Sequence, residues 1–313
     1  MRPFHFLADI SPIVTGPQLA ATARRAEDMG YHGVVLPDHL IEQLSPVVAM
    51  ATVAATTSVL RMSAFVFNND LRHPAVLAQD LASIDVLSDG RLDVAIGAGW
   101  NKPEYDAIGM RFDPTPVRQA RLVESITVLK GMFSGEPFSF AGEHYTITDY
   151  TGQPVPVQRP HPPFFIGGGG RRTLTLAGRE AQIVGLAPRI AKNARADAYS
   201  LTFAAAREKI DWVREAAGER FPSIELNVYP SGWPPTITDD LHGEARKVID
   251  HIRSRTGVEL SEHDVIDSPH LFVGSVDGLV EKFLRLREEL GITSVMLGEI
   301  DELAPVLERL AGS

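Results

Sequence analysis

An acid and an imidazole stand side by side where an apolar run of the sequence ends. The residues Gly33 to Leu36 read Gly-Val-Val-Leu, and Pro37, Asp38 and His39 follow them directly. A histidine titrates close to neutrality, so His39 is a candidate catalytic acid or base with Asp38 as its partner. The same pair can instead end the strand and hold the next loop by hydrogen bonds, and the residues alone leave both interpretations open.

A second candidate site is a run of four glycines after another apolar stretch. The run consists of Gly167, Gly168, Gly169 and Gly170, and the arginines Arg171 and Arg172 follow it. Glycines let the backbone approach a ligand closely, and the N-terminus of a helix favours an anion. We therefore predict a phosphate site, although a flexible turn without a ligand is the alternative. No Gly-Lys-Ser/Thr follows, so this is not a Walker loop, and the dinucleotide spacing fits poorly.

Strand-like apolar runs alternate with helical patterns along the chain. A fold built from such elements is needed to bring the candidate site residues together. The predicted strands are 4–10, 33–36, 61–67, 91–97, 163–167, 182–187, 224–230 and 294–298. Continuous apolar runs are typical of parallel strands that are covered on both faces. Eight of them with intervening helices predict an α/β fold, the (β/α)8 TIM barrel, and an open doubly wound sheet is the alternative.

In such a barrel the active site is built from the loops at the carboxyl ends of the strands. That rule selects Asp38 and His39, the Asn-Asn-Asp-Leu-Arg-His loop after the third strand, and Ala98, Gly99 and Trp100 after the fourth. Trp100 is either a core residue or an aromatic wall for a ligand. We expect Glu104 and Tyr105 to anchor their loop.

Length and composition place limits on the domain organisation and on the function. The 313 residues suit one barrel domain over 1–313 with a Pro-, Gly- and aromatic-rich insertion at about 135–163, which we expect to be a packed lid or hairpin. The absence of cysteine excludes disulfides and thiolate sites, and neither His-x-His nor HExxH supports a metal. The net charge of −10 argues against a nucleic-acid partner. No membrane span or signal peptide is recognisable, so we expect a cytoplasmic protein that acts on a small molecule.

Four longer stretches carry a family resemblance over nearly the whole chain. They include AEDMGYHGVVLPDHL, FNNDLRHPAVLAQDLASIDVLSDGRLDVAIGAGW and PFFIGGGGRRTLTLAG, and the fourth is LFVGSVDGLVEKFLRLREELGITSVML. The chain resembles the luciferase-like monooxygenase superfamily, whose bacterial luciferase-like barrels use flavin or deazaflavin. It is most similar to the branch that binds the deazaflavin coenzyme F420.

The resemblance implies positions for the cofactor. Asp38 and His39 fall at the reactive edge of the deazaflavin, and Ala64 and Phe65 fall at a bulge with a non-prolyl cis peptide behind the ring. Ala98, Gly99 and Trp100 fall beside the ring, and the residues from Gly167 to Gly170, with Arg171, fall at the phosphate. Some F420-dependent relatives carry an acid where this chain has Trp100, so the resemblance does not extend to a sugar-phosphate substrate.

The resemblance implies an F420-dependent oxidoreductase that transfers a hydride between the deazaflavin C5 and a small organic substrate. His39 would exchange the accompanying proton, and Asp38 would position the ring or its neighbour. An FMN-dependent monooxygenase that uses reduced flavin and dioxygen is the first alternative, and a non-catalytic flavin-binding protein is the second. A hydrolase with Asp38 and Glu104 as paired carboxylates is a further possibility. A homodimer is compatible with the family, in which dimers are common.

Overall fold

The computed structural model describes residues 2–189 and 197–313. The strands in these residues are β1 (His5–Asp9), β2 (Gly33–Leu36), β3 (Arg61–Ala64), β4 (Phe67–Asn68), β5 (Val94–Gly97), β6 (Pro137–Ala141), β7 (Thr146–Thr151), β8 (Phe164–Gly168), β9 (Ile183–Leu186), β10 (Glu225–Val228), β11 (Thr236–Ile237), β12 (Val273–Gly274) and β13 (Ile292–Glu299). The helices are α1 (Gly16–Asp28), α2 (Pro46–Thr56), α3 (Pro74–Leu87), α4 (Lys102–Ala107), α5 (Thr115–Phe133), α6 (Arg171–Glu180), α7 (Phe203–Ala217), α8 (Leu241–Thr256), α9 (Glu262–Ile266), α10 (Val276–Leu290) and α11 (Ala304–Leu310).

The chain divides into two compact units, which are described one at a time. Unit 1 comprises residues 1–10, 25–34 and 166–313, and unit 2 comprises residues 11–24 and 35–165. In unit 1 the strand order is β1-β13-β10-β9-β8. Strand β13 pairs in parallel with β1 and with β10, and β10 also pairs in parallel with β9. The predicted single domain over 1–313 stays a prediction.

Unit 2 holds the second half of β2, whose end carries the first candidate site, together with β3, β4 and β5. Strand β2 lies beside β3, and β4 pairs in parallel with β5. Strand β2 has the bounds that its apolar run predicts, and all four of its residues are buried. Burial on both faces explains why these runs show no alternation of polar and apolar residues.

The third predicted strand, 61–67, is interrupted. The structure has β3 over Arg61–Ala64 and β4 over Phe67–Asn68, and the peptide bond between Phe65 and Val66 is cis. The Phe65 N–H donates to the carbonyl oxygen of Leu36 at 2.8 Å, which ties the interruption to the end of β2. The resemblance implied a cis peptide at Ala64 and Phe65, and the structure has it one residue further along the chain.

The insertion of unit 2 contains an antiparallel hairpin, β6 with β7. The Glu124 carboxylate on α5 accepts hydrogen bonds from the N–H groups of Glu143, His144 and Tyr145 in the hairpin turn, at 2.8, 2.9 and 3.1 Å. Partial burial opposes ionisation of this carboxyl, but the three donors outweigh it and lower the pKa of Glu124. The turn is therefore fixed to α5 by a charged acceptor.

The core of unit 1 contains a fully buried imidazole. The Nδ1 atom of His270 lies 3.0 Å from the carbonyl oxygen of Tyr229, just after β10. Burial lowers the pKa of His270 to about 3, and the positive charges of Lys209 and Lys282 act in the same direction. The imidazole is therefore neutral in the folded chain at ordinary pH.

His270 predicts a pH dependence of stability. An unfolded histidine takes up a proton near pH 6.5, whereas folded His270 takes it up only near pH 3, so its contribution is lost as the pH falls below about 6.5. In His270→Gln we expect the free energy of unfolding, measured by urea titration, to fall less steeply between about pH 6.5 and 4. The exposed His263→Gln is the control and should follow the wild-type slope. Equal slopes in all three proteins would contradict the assignment.

Candidate active site

Asp38 lies at the carboxyl end of β2 in unit 2 and is almost fully buried. Arg72 donates to both of its carboxylate oxygens, from Nη1 at 2.6 Å and from Nη2 at 3.0 Å. The backbone N–H of Asn68, the last residue of β4, donates to the same carboxylate at 3.0 Å. These contacts engage both carboxylate oxygens of Asp38. They favour a role in which Asp38 joins two strand ends over a role in proton transfer.

Asn68 also connects this ion pair to the loop after β5. Its Oδ1 atom lies 2.9 Å from the hydroxyl of Tyr105 on α4, and that hydroxyl also lies 3.0 Å from a carboxylate oxygen of Asp70. Gly99 passes directly over these groups with a φ of +73°. A Cβ atom at Gly99 would lie 2.1 Å from the Tyr105 hydroxyl, so no other residue fits there without displacing the cluster.

His39 contacts two of the residues that the β5 loop and α4 supply. Its Nδ1 atom lies 2.8 Å from Oε1 of Glu104, whose side chain is only 7% exposed. Its ring stands edge-on to the ring of Trp100, with the centroids 5.6 Å apart. Trp100 is half exposed, so it does not belong to the core. An imidazole with a buried carboxylate on one nitrogen has the arrangement of a general acid or base.

The remaining predicted residues of unit 2 line the same strand ends. Ala64 ends β3 and is buried, and the ring of Phe65 packs edge-on against Phe165. The carbonyl oxygens of Ala98 and Gly99 both accept hydrogen bonds from the buried guanidinium of Arg118 on α5. Burial lowers the pKa of Arg118, although arginine remains charged.

The glycine loop belongs to unit 1 and runs from the end of β8 into α6. The N-cap residue of α6 is Gly170, which has no side chain with which to cap the helix. The loop packs tightly at Gly169, where a Cβ atom would meet the backbone of Pro188 and Arg189 at 2.8 Å. At Gly170 a Cβ atom would meet nothing within 4 Å. An uncapped N-terminus beside an open glycine suits an anionic group.

Arg171 is exposed, and its guanidinium pairs with Glu215 on α7 at 2.8 Å. An exposed pair of this kind contributes little to stability, so a phosphate could replace Glu215 at small cost. The structure thus brings His39, Asp38 and Trp100 together within unit 2 and places the glycines and Arg171 in unit 1. The residue assignments of the cofactor site stay predictions.

Two important contacts were not predicted from the sequence. Arg72 stood within a quoted strand-end loop, but nothing in its neighbourhood marked it as the partner of Asp38. Glu104 was expected to anchor its loop or, in the hydrolase alternative, to pair with Asp38, and the structure places it against His39. A search for oppositely charged residues at the ends of neighbouring strands would have found Arg72.

Two further observations concern the described residues, 2–189 and 197–313. No group of three or more His, Asp or Glu side chains there has an arrangement that could hold a metal ion. None of the helices in these ranges combines the length and the apolar character that a membrane span requires.

Comparison with known proteins identifies the family to which the chain belongs. A family model described as luciferase-like monooxygenase matches residues 3–257. The FMNH(2)-dependent dimethylsulfone monooxygenase of Pseudomonas putida is 42% identical over 106 residues, which are 34% of this chain and 29% of that protein. The F420-dependent glucose-6-phosphate dehydrogenase of Kineococcus radiotolerans is 34% identical over 175 residues, 52% of this chain and 50% of that protein. The chain thus spans half or less of the length of these curated relatives.

A solved structure supports the fold over the whole chain. The coenzyme F420 dependent tetrahydromethanopterin reductase from Methanopyrus kandleri superposes with a TM-score of 0.78 and 18% identity, covering 99% of this chain and 98% of the other. Together with the parallel strands and alternating helices, this confirms the predicted (β/α)8 barrel of the luciferase-like kind.

The ion pair at Asp38 predicts a large stability difference between two arginine variants. Arg72→Met leaves a buried carboxylate without its counter-charge, so we expect the free energy of unfolding to fall by about 3 kcal/mol. The control Arg111→Met removes an arginine that is 87% exposed and pairs with Asp113 in the same unit. It should cost less than about 1 kcal/mol. Urea titration of both variants measures the difference, and equal losses would show that the Asp38 pair is dispensable.

Proposed function

Because the chain belongs to the luciferase-like monooxygenase family, we propose that it is an F420-dependent oxidoreductase that transfers a hydride between the deazaflavin C5 and a small organic substrate. The observation that carries this proposal is the contact of His39 with Glu104 and Trp100 at the carboxyl end of β2. It supplies a proton-transfer group beside a half-exposed aromatic wall, where the barrel fold places active sites.

The chain offers groups that fit such a cofactor. The uncapped N-terminus of α6, preceded by Gly170, would hold its phosphate, and Arg171 would add positive charge. The loop of Ala98 and Gly99, whose carbonyl oxygens Arg118 holds, and the residues around the cis peptide at Phe65 would pack on the ring. When bound, F420 supplies a carbon that accepts or donates a hydride. His39 would exchange the accompanying proton with the substrate.

The polar groups of unit 2 support an uncharged substrate. Trp100 occupies the position where some F420-dependent relatives have an acid, and it is half exposed next to His39. The arginines around the loop are already engaged, since Arg72 pairs with Asp38 and Arg121 pairs with Asp70 and Asp113. A substrate phosphate here would have to break a buried ion pair, which is costly. We therefore propose an alcohol, a carbonyl compound or another uncharged molecule with an apolar group for Trp100.

A second candidate function uses reduced FMN and dioxygen in the same fold. The 42% identity to an FMNH(2)-dependent monooxygenase over 106 residues favours it. Both cofactors carry a phosphate, so the glycine loop and Arg171 are compatible with either.

The two candidates predict opposite cofactor preferences. The purified chain should bind F420 at least about ten-fold more tightly than FMN, a difference of about 1.4 kcal/mol, because the proposed site recognises the deazaflavin. Equilibrium titration followed by cofactor fluorescence measures both dissociation constants, with riboflavin as a control that lacks the phosphate. Tight binding of FMN with no response to F420 would overturn the leading proposal in favour of the second.

The glycine loop predicts different effects for neighbouring alanine substitutions. Gly170→Ala should leave the thermal midpoint unchanged, since its Cβ atom meets nothing within 4 Å, yet weaken F420 binding because the methyl group intrudes where the phosphate would lie. Gly169→Ala should lower the midpoint itself, since its Cβ atom meets backbone at 2.8 Å. Thermal unfolding and F420 titration of both variants test this. Unaltered F420 affinity in Gly170→Ala would show that this loop does not bind the phosphate.

A further inference from the structure

We propose that Glu104 is a positioning residue that holds His39 in a single neutral tautomer, with the ring proton on Nδ1 and with Nε2 left to exchange the substrate proton. The tautomer itself is a property of this chain without any cofactor. The catalytic consequence rests on the proposed function, and the experiments below test the two separately.

Two nitrogen atoms lie close to the same carboxylate oxygen, Glu104 Oε1. The side-chain amide of Asn101 donates to this oxygen at 2.5 Å, and His39 Nδ1 lies 2.8 Å from the same atom. An ionised carboxylate has only acceptor sites. If Nδ1 lacked its proton, a ring lone pair would face a carboxylate oxygen at 2.8 Å, which is repulsive. At this distance from a carboxylate oxygen a protonated Nδ1 is attracted and an unprotonated one is repelled, so the contact favours the proton on Nδ1.

The contact between His39 and Glu104 does not have the geometry of a hydrogen bond. The Nδ1 atom of His39 and the Oε2 atom of Glu104 are both buried, and neither makes a hydrogen bond of acceptable geometry in this structure. A buried polar atom without a hydrogen bond costs about 1–3 kcal/mol. Catalytic hydrogen bonds are often poorly aligned in the free enzyme and tighten when the ligand binds.

Both His39 and Glu104 also contact residues outside the pair. Trp100 stands edge-on against the imidazole, and Asn101 holds the carboxylate. Pro37 and Asp38 precede His39, and Asp38 is fixed by Arg72. The imidazole and the carboxylate each therefore have a neighbour that lies outside the pair.

The chemistry of the step follows from this tautomer. For an alcohol substrate, the C–H bond breaks and its electron pair leaves with the hydrogen as hydride, for which F420 is the acceptor. The O–H bond breaks and its proton forms a bond to Nε2, while the oxygen lone pair completes the carbonyl. The imidazolium that results faces the Glu104 carboxylate, which stabilises its charge. In the reverse direction the same proton returns to the oxygen.

The tautomer is tested in the full chain without cofactor by ¹⁵N NMR of labelled histidine rings, with His39→Ala used to assign the His39 signals. We expect wild-type His39 to carry its neutral proton on Nδ1. Glu104→Leu, which offers no acceptor, should shift the proton toward Nε2, and Glu104→Met, which also lacks an oxygen acceptor, serves if the leucine variant does not fold. The control Asp106→Asn removes an exposed carboxylate of the same helix and should leave the spectrum unchanged. A wild-type proton on Nε2 overturns the proposal.

The catalytic consequence is tested by steady-state kinetics of F420 reduction once a substrate alcohol has been found. Glu104→Gln should lower kcat by about 10- to 100-fold, or about 1.4–2.7 kcal/mol, with the KM for F420 changed less than about three-fold. His39→Ala should lower it by about 10²–10⁴-fold, and the double variant should be no slower than His39→Ala alone, because the two residues act as one unit. Additive losses overturn the positioning role. Full activity in His39→Ala overturns the proposed role of His39 in catalysis and leaves the tautomer result standing.

Discussion

A buried carboxylate needs hydrogen-bond partners for both of its oxygens, and in unit 2 this requirement determines how the residues around Asp38 are arranged. Asp38 can lie at the end of β2 only because Arg72 covers both of its oxygens and the Asn68 amide supplies a further donor. A carboxylate buried without these partners would be strongly destabilising. The ion pair therefore determines where the segment after β4 lies. It also fixes the backbone immediately before His39, so that the fold and the proposed chemistry depend on one electrostatic contact.

A second constraint is the close packing of the loop after β5. Gly99 lies so near the Tyr105 hydroxyl and Asn68 that a single methyl group would not fit. Arg118 donates hydrogen bonds to the carbonyl oxygens of Ala98 and Gly99. Trp100 follows directly, and its position against His39 is a consequence of this packing. The half-exposed tryptophan is thus presented by a loop whose backbone has little freedom to move.

The sequence predicted the regular part of this arrangement and not its long-range contacts. Strand β2 has the bounds that its apolar run indicated, because a parallel strand that is buried on both faces is a continuous run of apolar residues. The split of 61–67 into β3 and β4 leaves no trace in composition, and only the family resemblance indicated an irregularity there. The barrel rule correctly placed the pair of Asp38 and His39 at a strand end. The partners Arg72 and Glu104 are distant along the chain, and only the three-dimensional fold brings them close.

The hairpin of β6 and β7 has a consequence for how a ligand would be chosen. Its turn is tied to α5 through three N–H groups on Glu124, and Tyr145 in the same turn receives a hydrogen bond from Asn69 and stands edge-on to His73. Asn69 and His73 belong to the segment that also contains Arg72. A hairpin turn that is held by this many polar contacts is preorganised. A ligand that contacts this turn would be selected by its fit to a preset shape, with no binding energy spent on ordering the turn.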